Sequence, residues 1–286
     1  MSLPRIFLIS LFGLLSLIMH AAQASPADGA VGMVLDVRGT GQITDKGAVG
    51  KLQLLAYLKP QMQISLDAGG KASLSLYATR SVYQIAGPAV VEIGKDQLTV
   101  IKGAAPVIKS MAEKLVVAAQ NTDFRAGATQ MRTLPPRILV ATPPNGAVLW
   151  RNQPTFTWLA MDVAPYDITL RDLSDKVIAS ATVRESNWRL PANVLLDYGT
   201  TYQWTVSYKS AADGRTYSAT GEFSVAGKSD VDQLAALKPA EGAPIEEWVL
   251  YAAMLQSKGI SEEARTVWQS ISKQRPDLQR AQELAE

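Results

Sequence analysis

Cysteine is absent from the 286-residue chain, and the only histidine is His20. Disulfides, thiolate nucleophiles and cysteine-ligated zinc or iron–sulfur sites are therefore excluded. Histidine is the usual proton carrier near neutral pH, and His20 lies in an N-terminal segment that we expect to be cleaved off. The remaining chain has no histidine and cannot carry out Ser-His-Asp hydrolysis. These absences predict a protein that is not an enzyme and has no cofactor, no metal and no catalytic residue.

The sequence also lacks an excess of either charge, because 28 Lys and Arg against 26 Asp and Glu leave a net charge of +2. Proteins that bind nucleic acid concentrate Lys and Arg, so we expect no nucleic-acid partner. Hydrophobic residues make up 47% of the chain, which is enough to build packed cores. The length suits two or three domains of ~100–200 residues each.

The N-terminal segment has the pattern of a secretory signal peptide. Arg5 precedes an apolar run from Ile6 to Met19, and the small residues of Ala22-Gln-Ala24 follow it. The run is shorter than the about 20 apolar residues that a membrane-spanning helix needs. We expect residues 1–24 to be a signal peptide cleaved after Ala24, which would place a mature protein without a transmembrane segment in the periplasm. An uncleaved membrane anchor is the alternative.

Short alternating segments separated by glycine-containing turns fill the chain from Val31 to about Met131. Residues 61–66 alternate polar and apolar, Asp67-Ala-Gly-Gly70 supplies a turn, and residues 71–76 alternate again, which predicts a hairpin. Further segments of this kind cover residues 81–85, 89–93 and 97–101. Strands this short and evenly spaced predict a twisted antiparallel sheet stack or a small barrel.

The order of these segments and their glycines resembles the FecR family domain. The residues that carry the resemblance are 32–41, 69–76, 86–93, 98–103 and 121–127. The resemblance implies a repetitive β-fold found in exported bacterial proteins, including membrane-bound regulators of iron-transport sigma factors. Such regulators have a cytoplasmic segment and a transmembrane helix before the domain, and this sequence has neither. We assign residues 25–133 to a FecR-like β-domain.

A second β-region follows Leu134-Pro-Pro136 and extends to residue 227. About seven short strands over roughly 85 residues is the pattern of an immunoglobulin-like or fibronectin type III-like sandwich. Residues 196–206 resemble the entry to a late strand of such domains. The resemblance implies that Tyr202 is the tyrosine-corner residue, with its hydroxyl bonded to nearby backbone, and that Trp158 is the core tryptophan. We assign residues 134–227 to this sandwich.

From Pro239 onward, the hydrophobic residues recur at the spacing of an α-helix rather than alternating as in a strand. Residues Trp248, Tyr251, Ala252, Leu255, Gly259, Ala264, Trp268 and Pro276 follow the spacing of the tetratricopeptide repeat. Pro244 suits the first turn of a helix, Ser261 should cap a second helix, and a third is expected over residues 277–285. We assign residues 228–243 to a linker and 244–286 to a tetratricopeptide-like unit. A single repeat cannot bury its apolar face alone, so it must dock on another domain or a partner.

Two short motifs could suggest chemistry, and each has a structural explanation. Ser270-Ile-Ser-Lys273 matches the Ser-x-x-Lys motif, but the Ser-Asp-Asn and Lys-Thr-Gly elements that accompany it in penicillin-binding proteins are absent. Gly39-Thr-Gly41 lacks the third glycine of a dinucleotide-binding loop. We interpret Ser270 and Lys273 as helix residues and the glycines as a bend between strands.

Acidic residues offer two further possibilities. Asp162, Asp167, Asp172 and Asp175 could suggest calcium, but their spacing matches no calcium loop and aspartate is common in turns. A pair of carboxylates can hydrolyse glycosides without histidine. The carboxylates available for that reaction are Glu92, Asp123, Glu185 and Glu222, which are scattered along the sequence.

Aromatic residues leave carbohydrate binding open, because their faces stack on sugar rings. Trp150 and Trp188 lie near turns, and Tyr208 and Tyr217 have the pattern of exposed residues. Core or edge packing is the favoured alternative for the two tryptophans. The other four tryptophans, Trp158, Trp204, Trp248 and Trp268, occupy core positions of their motifs.

The fold class predicted is mainly β with a C-terminal α-helical unit: an antiparallel β-domain, a β-sandwich and a helical hairpin. The function predicted is that of a non-catalytic scaffold or adaptor of the cell envelope. Its helical unit would bind an envelope protein, and its β-domains would bind protein, peptidoglycan or another glycan. The alternatives are a component of an extracytoplasmic signalling system related to FecR-type regulators and a carboxylate-based glycan hydrolase or lyase.

Overall fold

A computed structural model describes residues 29–110, 138–162 and 165–286. Eighteen strands in four sheets occupy the first part of these ranges, and four helices follow them. The predicted class, mainly β with a C-terminal helical unit, is confirmed. The expected signal peptide, residues 1–24, lies outside the described residues. Within the described ranges, no helix has both the length and the hydropathy to cross a membrane.

The first domain consists of two five-stranded antiparallel sheets. Its strands are β1 (Gly32–Arg38), β2 (Gly41–Asp45), β3 (Ala48–Lys51), β4 (Tyr57–Leu58), β5 (Gln63–Leu66), β6 (Lys71–Leu76), β7 (Ser81–Ala86), β8 (Ala89–Ile93), β9 (Leu98–Lys102) and β10 (Val107–Ser110). The sheet orders are β10-β7-β6-β1-β4 and β3-β2-β5-β8-β9. Their shared core includes Val34, Ile64, Leu74 and Val91, all of which are 1% exposed or less.

The hairpin predicted over residues 61–76 is wrong. β5 pairs with β2 and β8 in one sheet, whereas β6 pairs with β1 and β7 in the other. The turn over residues 67–70 therefore carries the chain from one sheet to the other. Alternation predicted which face of each strand is buried, but both sheets bury one face in the same core, so the pattern could not select the neighbours.

The sandwich consists of eight strands in two sheets. They are β11 (Ile138–Thr142), β12 (Ala147–Leu149), β13 (Thr155–Ala160), β14 (Tyr166–Asp172), β15 (Val177–Val183), β16 (Asn187–Arg189), β17 (Thr201–Lys209) and β18 (Thr216–Val225). The sheet orders are β11-β13-β16 and β12-β18-β17-β14-β15. Between them lie Phe156, Trp158 and Trp204, each 1% exposed or less. The core role predicted for Trp158 is confirmed.

Tyr202 forms the predicted tyrosine corner at the start of β17. Its hydroxyl accepts a hydrogen bond from the backbone N–H of Asp197 at 2.9 Å, and its ring stacks on Phe223. The residue is 2% exposed. The contact ties the loop before β17 to the strand, as the resemblance implied.

The helical unit consists of α1 (Lys228–Leu237), α2 (Ile245–Ser257), α3 (Ser261–Gln274) and α4 (Gln279–Ala285). α1 occupies most of the segment assigned to a linker, and α4 corresponds to the expected third helix. The cap predicted at Ser261 is wrong. Ile260 is the capping residue of α3, and the Ser261 hydroxyl donates instead to the backbone oxygen of Gly259 at 3.3 Å.

Gly259 lies between α2 and α3, where the helical unit meets the sandwich. Its φ is +75°, a conformation that strains any L-residue, and an added Cβ would lie 3.0 Å from Cγ2 of Val148. We expect Gly259→Ala to lower the free energy of unfolding by about 2 kcal/mol, as measured by urea denaturation, because strain and crowding add.

Gly242→Ala is the matched control. Gly242 has a φ of +80°, but an added Cβ would meet no atom within 4 Å. The control should lose about 1 kcal/mol, which is the cost of the left-handed backbone alone. Equal losses in the two variants would show that the contact with Val148 does not hold the helical unit against the sandwich.

Candidate binding sites between the domains

The helical unit packs against both β-domains. Its apolar core includes Met33, Leu35 and Val82 of the first domain and Ala226 at the end of the sandwich. The seven residues of α2 from 249 to 255 are each 5% exposed or less. The apolar face of the repeat is therefore covered within the chain, which fulfils the requirement that it dock on another domain. This face is not available to a partner protein.

Glu246, in the first turn of α2, fixes that helix on the first domain. Its Oε1 accepts a hydrogen bond from the Ser73 hydroxyl at 2.9 Å and another from the Gln84 side-chain amide at 3.1 Å. Glu246 is 8% exposed, and burying a carboxylate is costly unless hydrogen bonds compensate it. The positive end of the α2 dipole also favours a carboxylate here.

Arg275, directly after α3, fixes the other end of the helical hairpin on β1. Its guanidinium donates to Asp36 at 2.6 Å and to the backbone oxygen of Val37 at 3.0 Å. Two further bonds, at 2.7 and 2.8 Å, reach both oxygens of Asp277. The hydrogen bonds to Asp277 and Asp36 raise the pKa of Arg275, and the Arg275 bond lowers the pKa of Asp277.

Both contacts lie in a cleft of about 660 Å³ between the first domain and the helices, which we call the first-domain cleft. Its charged lining includes Arg38 and Lys71 together with Asp36, Glu246 and Arg275. The last three are buried and bound to groups across the joint. The polar groups of this cleft therefore serve mainly to join the two domains.

A second cleft, of about 640 Å³, lies between the sandwich and the helices, and we call it the sandwich–helix cleft. Its sandwich wall includes Trp150, Arg151, Gln153 and Arg189, and its helical wall includes Lys238, Tyr251, Glu262 and Glu263. Ligand-binding pockets commonly have volumes of ~300–1,000 Å³ and a few converging polar groups. The sandwich–helix cleft has these properties.

The charged side chains of the sandwich–helix cleft are not paired. Among the residues that the structure describes, no ion pair involves Arg151, Arg189, Lys238, Glu262 or Glu263. Two arginines lie on the sandwich wall and two carboxylates on the helical wall. Opposite charges therefore line one space without neutralising each other by direct contact.

Glu263 is the partly desolvated charge of the sandwich–helix cleft. Burial raises its pKa, the neighbouring Glu262 raises it further, and its own backbone N–H and Arg151 act in the opposite direction. The pKa of the buried Tyr251 is raised by desolvation and by the charge of Glu263. These four side chains are therefore close enough to influence one another electrostatically.

β15 is a free edge of the sandwich. It is the last strand of its sheet and pairs only with β14 among the described strands. Its seven residues, Val-Ile-Ala-Ser-Ala-Thr-Val, include no charge and no proline. Three edge strands of the first domain, β3, β9 and β10, carry Lys51, Lys102 and Lys109. Edge lysines discourage pairing with other chains, so β15 lacks a protection that those strands have.

The structure separates the aromatic candidates for carbohydrate binding. Trp150 is half-buried, because it packs against the core of the helical unit while also lining the sandwich–helix cleft. Trp188, in contrast, is 7% exposed and stacks on Phe156, with ring centroids 5.2 Å apart. Tyr208 is 1% exposed and packs beside the half-buried Tyr217, so the exposure predicted for Tyr208 is wrong. Trp188 and both tyrosines pack in the sandwich rather than forming an open platform.

The four aspartates considered for calcium each have their own partner. Asp162 accepts from Tyr208, Asp167 from Thr182, Asp172 from Ser174 and Lys176, and Asp175 pairs with Arg171. The Ser174 bond lowers the pKa of Asp172. No group of three or more metal-ligating side chains occurs within 29–110, 138–162 and 165–286. The aspartates act in turns and cross-strand contacts.

The other candidate residues lie on different elements. Glu92 accepts a hydrogen bond from Gln63 in the first domain, and Glu185, just before β16, accepts one from Asn187. Glu222 lies in β18. Ser270 and Lys273 are exposed on α3. Asp123 lies outside the described residues. Gly39-Thr-Gly41 joins β1 of one sheet to β2 of the other, as expected of a bend, and Gly39 has a φ of +71°.

Sequence reasoning missed the residues that join the domains. Asp36 interrupts an otherwise apolar strand, Gly-Met-Val-Leu-Asp-Val, and a lone charge in such a segment was the available signal. Glu246 lies in the first turn of its helix, where the helix dipole alone accounts for a carboxylate, so its position gave no signal of a joint. Arg275 had no assigned role, because its partner Asp36 is 239 residues away in sequence.

No protein-family model matches the chain, and no curated protein matches it. The resemblance of the first domain to the FecR family accordingly stays a prediction. Among solved structures, the chain is similar to PorZ, an essential bacterial surface component of the type-IX secretion system of Porphyromonas gingivalis, at 7% identity and a TM-score of 0.22. The match covers 63% of this chain and 24% of that chain. A likeness this weak carries no argument about fold or function.

Proposed function

We propose that the protein is a non-catalytic scaffold or adaptor of the bacterial cell envelope that binds an extended segment of a partner protein along β15. The uncharged, unpaired edge of β15 carries this proposal. A partner strand added there would hydrogen-bond to the free backbone groups, and alternate side chains would give specificity. The partner role first expected of the helical unit passes to β15, because the apolar face of that unit is covered.

The joints between the domains support a scaffold role. Glu246 and Arg275 hold the helices on the first domain, and Gly259 permits their close approach to the sandwich. A surface presented by such a joined body keeps a fixed relation to the rest of the molecule. Export to the envelope rests on the signal-peptide pattern that ends at Ala24.

Photo-crosslinking in the native bacterium tests the proposal. A photoreactive residue is placed at Ser180, in the middle of β15, or at Gln203, which is exposed on β17 and pairs on both sides. We expect a protein adduct from position 180 and at least tenfold less from position 203. Ser180→Lys should abolish capture by a photoreactive residue at Thr182, whereas Gln203→Lys should not.

Three outcomes would contradict the adaptor proposal. The first is the absence of any adduct at position 180, and the second is an equal yield at position 203. The third is an adduct of twice the chain mass, which would identify β15 as a surface for self-association. Each outcome is read from the mass of the product and from peptides of the captured protein.

A carboxylate-based glycan hydrolase is the second candidate, because two carboxylates, Glu262 and the half-buried Glu263, line one cleft of about 640 Å³. Burial raises the pKa of Glu263, which is the direction that a general acid requires. Incubation of the purified protein with peptidoglycan distinguishes the two functions. Soluble fragments that appear with the wild type and disappear with Glu263→Gln would overturn the non-catalytic proposal.

A further inference from the structure

We infer that the sandwich–helix cleft binds a zwitterionic ligand, namely a short peptide with a free ammonium group at one end and a free carboxylate at the other. The carboxylate would bind on the arginine wall and the ammonium group on the glutamate wall. This site goes beyond the partner-binding edge at β15, which lies on a different part of the sandwich. The inference stands on the placement of charge in the cleft.

The signs of the charges select the class of ligand. Arg151 and Arg189 lie on one wall, Glu262 and Glu263 on the other, and Lys238 at the end of α1 adds a third cation. A ligand with a single sign of charge would be attracted to one wall and repelled by the other. A zwitterion can satisfy both walls at once, and complementary charge of this kind gives specificity as well as attraction.

In the first-domain cleft, the buried charges are bound to groups of the other domain. The two clefts have similar volumes, about 660 and 640 Å³. In the first-domain cleft, Arg275 binds Asp36, and Glu246 accepts two hydrogen bonds. In the sandwich–helix cleft the cations and carboxylates have no ion-pair partner within the described ranges. In the first-domain cleft, only the cation Lys71 has neither an ion pair nor a side-chain hydrogen bond among the described residues, so unpaired charges of both signs distinguish the sandwich–helix cleft.

The partial burial of Glu263 favours an ammonium group as its partner. A carboxylate taken partly out of water loses hydration, and an opposite charge held nearby restores favourable interactions. Burial and the neighbouring Glu262 raise the pKa of Glu263, whereas its backbone N–H and Arg151 act in the opposite direction. An ammonium group between Glu262 and Glu263 would supply the missing charge.

Two further residues shape the cleft. Trp150 is half-buried there and offers an aromatic surface to the apolar part of a peptide or to its ammonium group. Gln153 donates hydrogen bonds to the backbone oxygens of Ala192 and Val194, so its amide holds the neighbouring loop. Part of Trp150 packs against the core of the helical unit, so only its remaining surface can contact a ligand, and Gln153 is a positioning residue.

Isothermal titration of the full chain with three peptides tests the inference. The probes are tri-alanine, N-acetylated tri-alanine and tri-alanine amide, which differ only in their terminal charges. We expect tri-alanine to bind at least tenfold more tightly than either blocked peptide. Equal affinity for the three peptides, or binding of none of them at millimolar concentration, would overturn the inference.

Variants then assign each charge to its wall. The double substitution Glu262→Gln and Glu263→Gln should weaken tri-alanine about tenfold and leave N-acetylated tri-alanine unchanged. Arg151→Gln should weaken tri-alanine about tenfold and leave the amide unchanged. Arg184→Gln, an exposed change outside the cleft lining, is the control. If a cleft variant lowered the affinity for all three peptides equally, the effect would be structural and the assignment of charges would be wrong. Ser180→Lys, in β15, should abolish partner capture without changing peptide affinity, which separates this inference from the proposed function.

Discussion

Arg275→Ala is expected to lower the free energy of unfolding by about 3–5 kcal/mol. The change removes the buried cation that pairs with Asp36 at 2.6 Å, and the side chains of both residues are only 10% exposed. It also deletes the bond to the backbone oxygen of Val37. Asp36 would then lie between β1 and the helices with only its longer ion pair to the exposed Arg38, at 3.5 Å. Urea denaturation followed by tryptophan fluorescence measures the loss.

Two comparisons identify the cause of that loss. Arg280→Ala removes an exposed arginine that pairs with Glu283, and such surface pairs contribute about 0–1 kcal/mol. Arg275→Lys keeps the charge but loses the planar guanidinium group that binds several acceptors. Its loss of unfolding free energy should therefore lie between those of the other two variants. A loss below about 1 kcal/mol for Arg275→Ala would mean that the Asp36 contact does not hold the domains together.

Leu35→Ala is expected to cost about 2–5 kcal/mol and to loosen the helices selectively. Leu35 is fully buried, and it belongs to the core that the helices share rather than to the core between the two sheets of the first domain. Its removal leaves a cavity under the helical unit. Amide hydrogen exchange should show α2 losing protection, while β6 and β8 keep theirs.

Leu74→Ala is the matched control for this second effect. Leu74 is also fully buried, but it lies in the core between the two sheets of the first domain. The same chemical change there should weaken β6 and β8 at least as much as α2. If Leu35→Ala and Leu74→Ala gave the same exchange pattern, the helical unit and the first domain would not have separable cores.

The sandwich was the most predictable part of the fold, because its signals are local. Alternation in single strands indicated which face is buried, and the short motif around Tyr202 fixed one loop contact. The core position of Trp158 followed from the resemblance to sandwiches of this kind. These features need no knowledge of distant residues, so a single sequence was sufficient to predict them.

The first domain was less predictable, because strand partners depend on contacts that alternation does not encode. β5 and β6 follow each other directly and still belong to different sheets. β1 shows a second difficulty, since its five residues from 32 to 36 are all buried. Helices cover one face of its sheet and the second sheet covers the other, so its pattern is a continuous apolar run rather than an alternating one.

The two clefts could not be predicted, since each forms where domains meet. Arg151 and Glu263 are more than a hundred positions apart in sequence, and neither belongs to a recognisable motif. Trp150 was the one cleft residue that the sequence indicated, from its place near a turn. Sites of this kind depend on how the domains pack, and a pattern within one domain does not specify that packing.

The two-sided burial of β1 has a consequence for the time order of folding. During synthesis from the N-terminus, Met33 and Leu35 of β1 are made long before residues 245–275 of the helical unit. Until the end of the chain arrives, one face of β1 stays apolar and exposed to water, which makes the partly emerged chain prone to aggregation. The helices near the end of the sequence therefore cover an apolar face of β1. A truncated product without them would expose that face and would tend to aggregate.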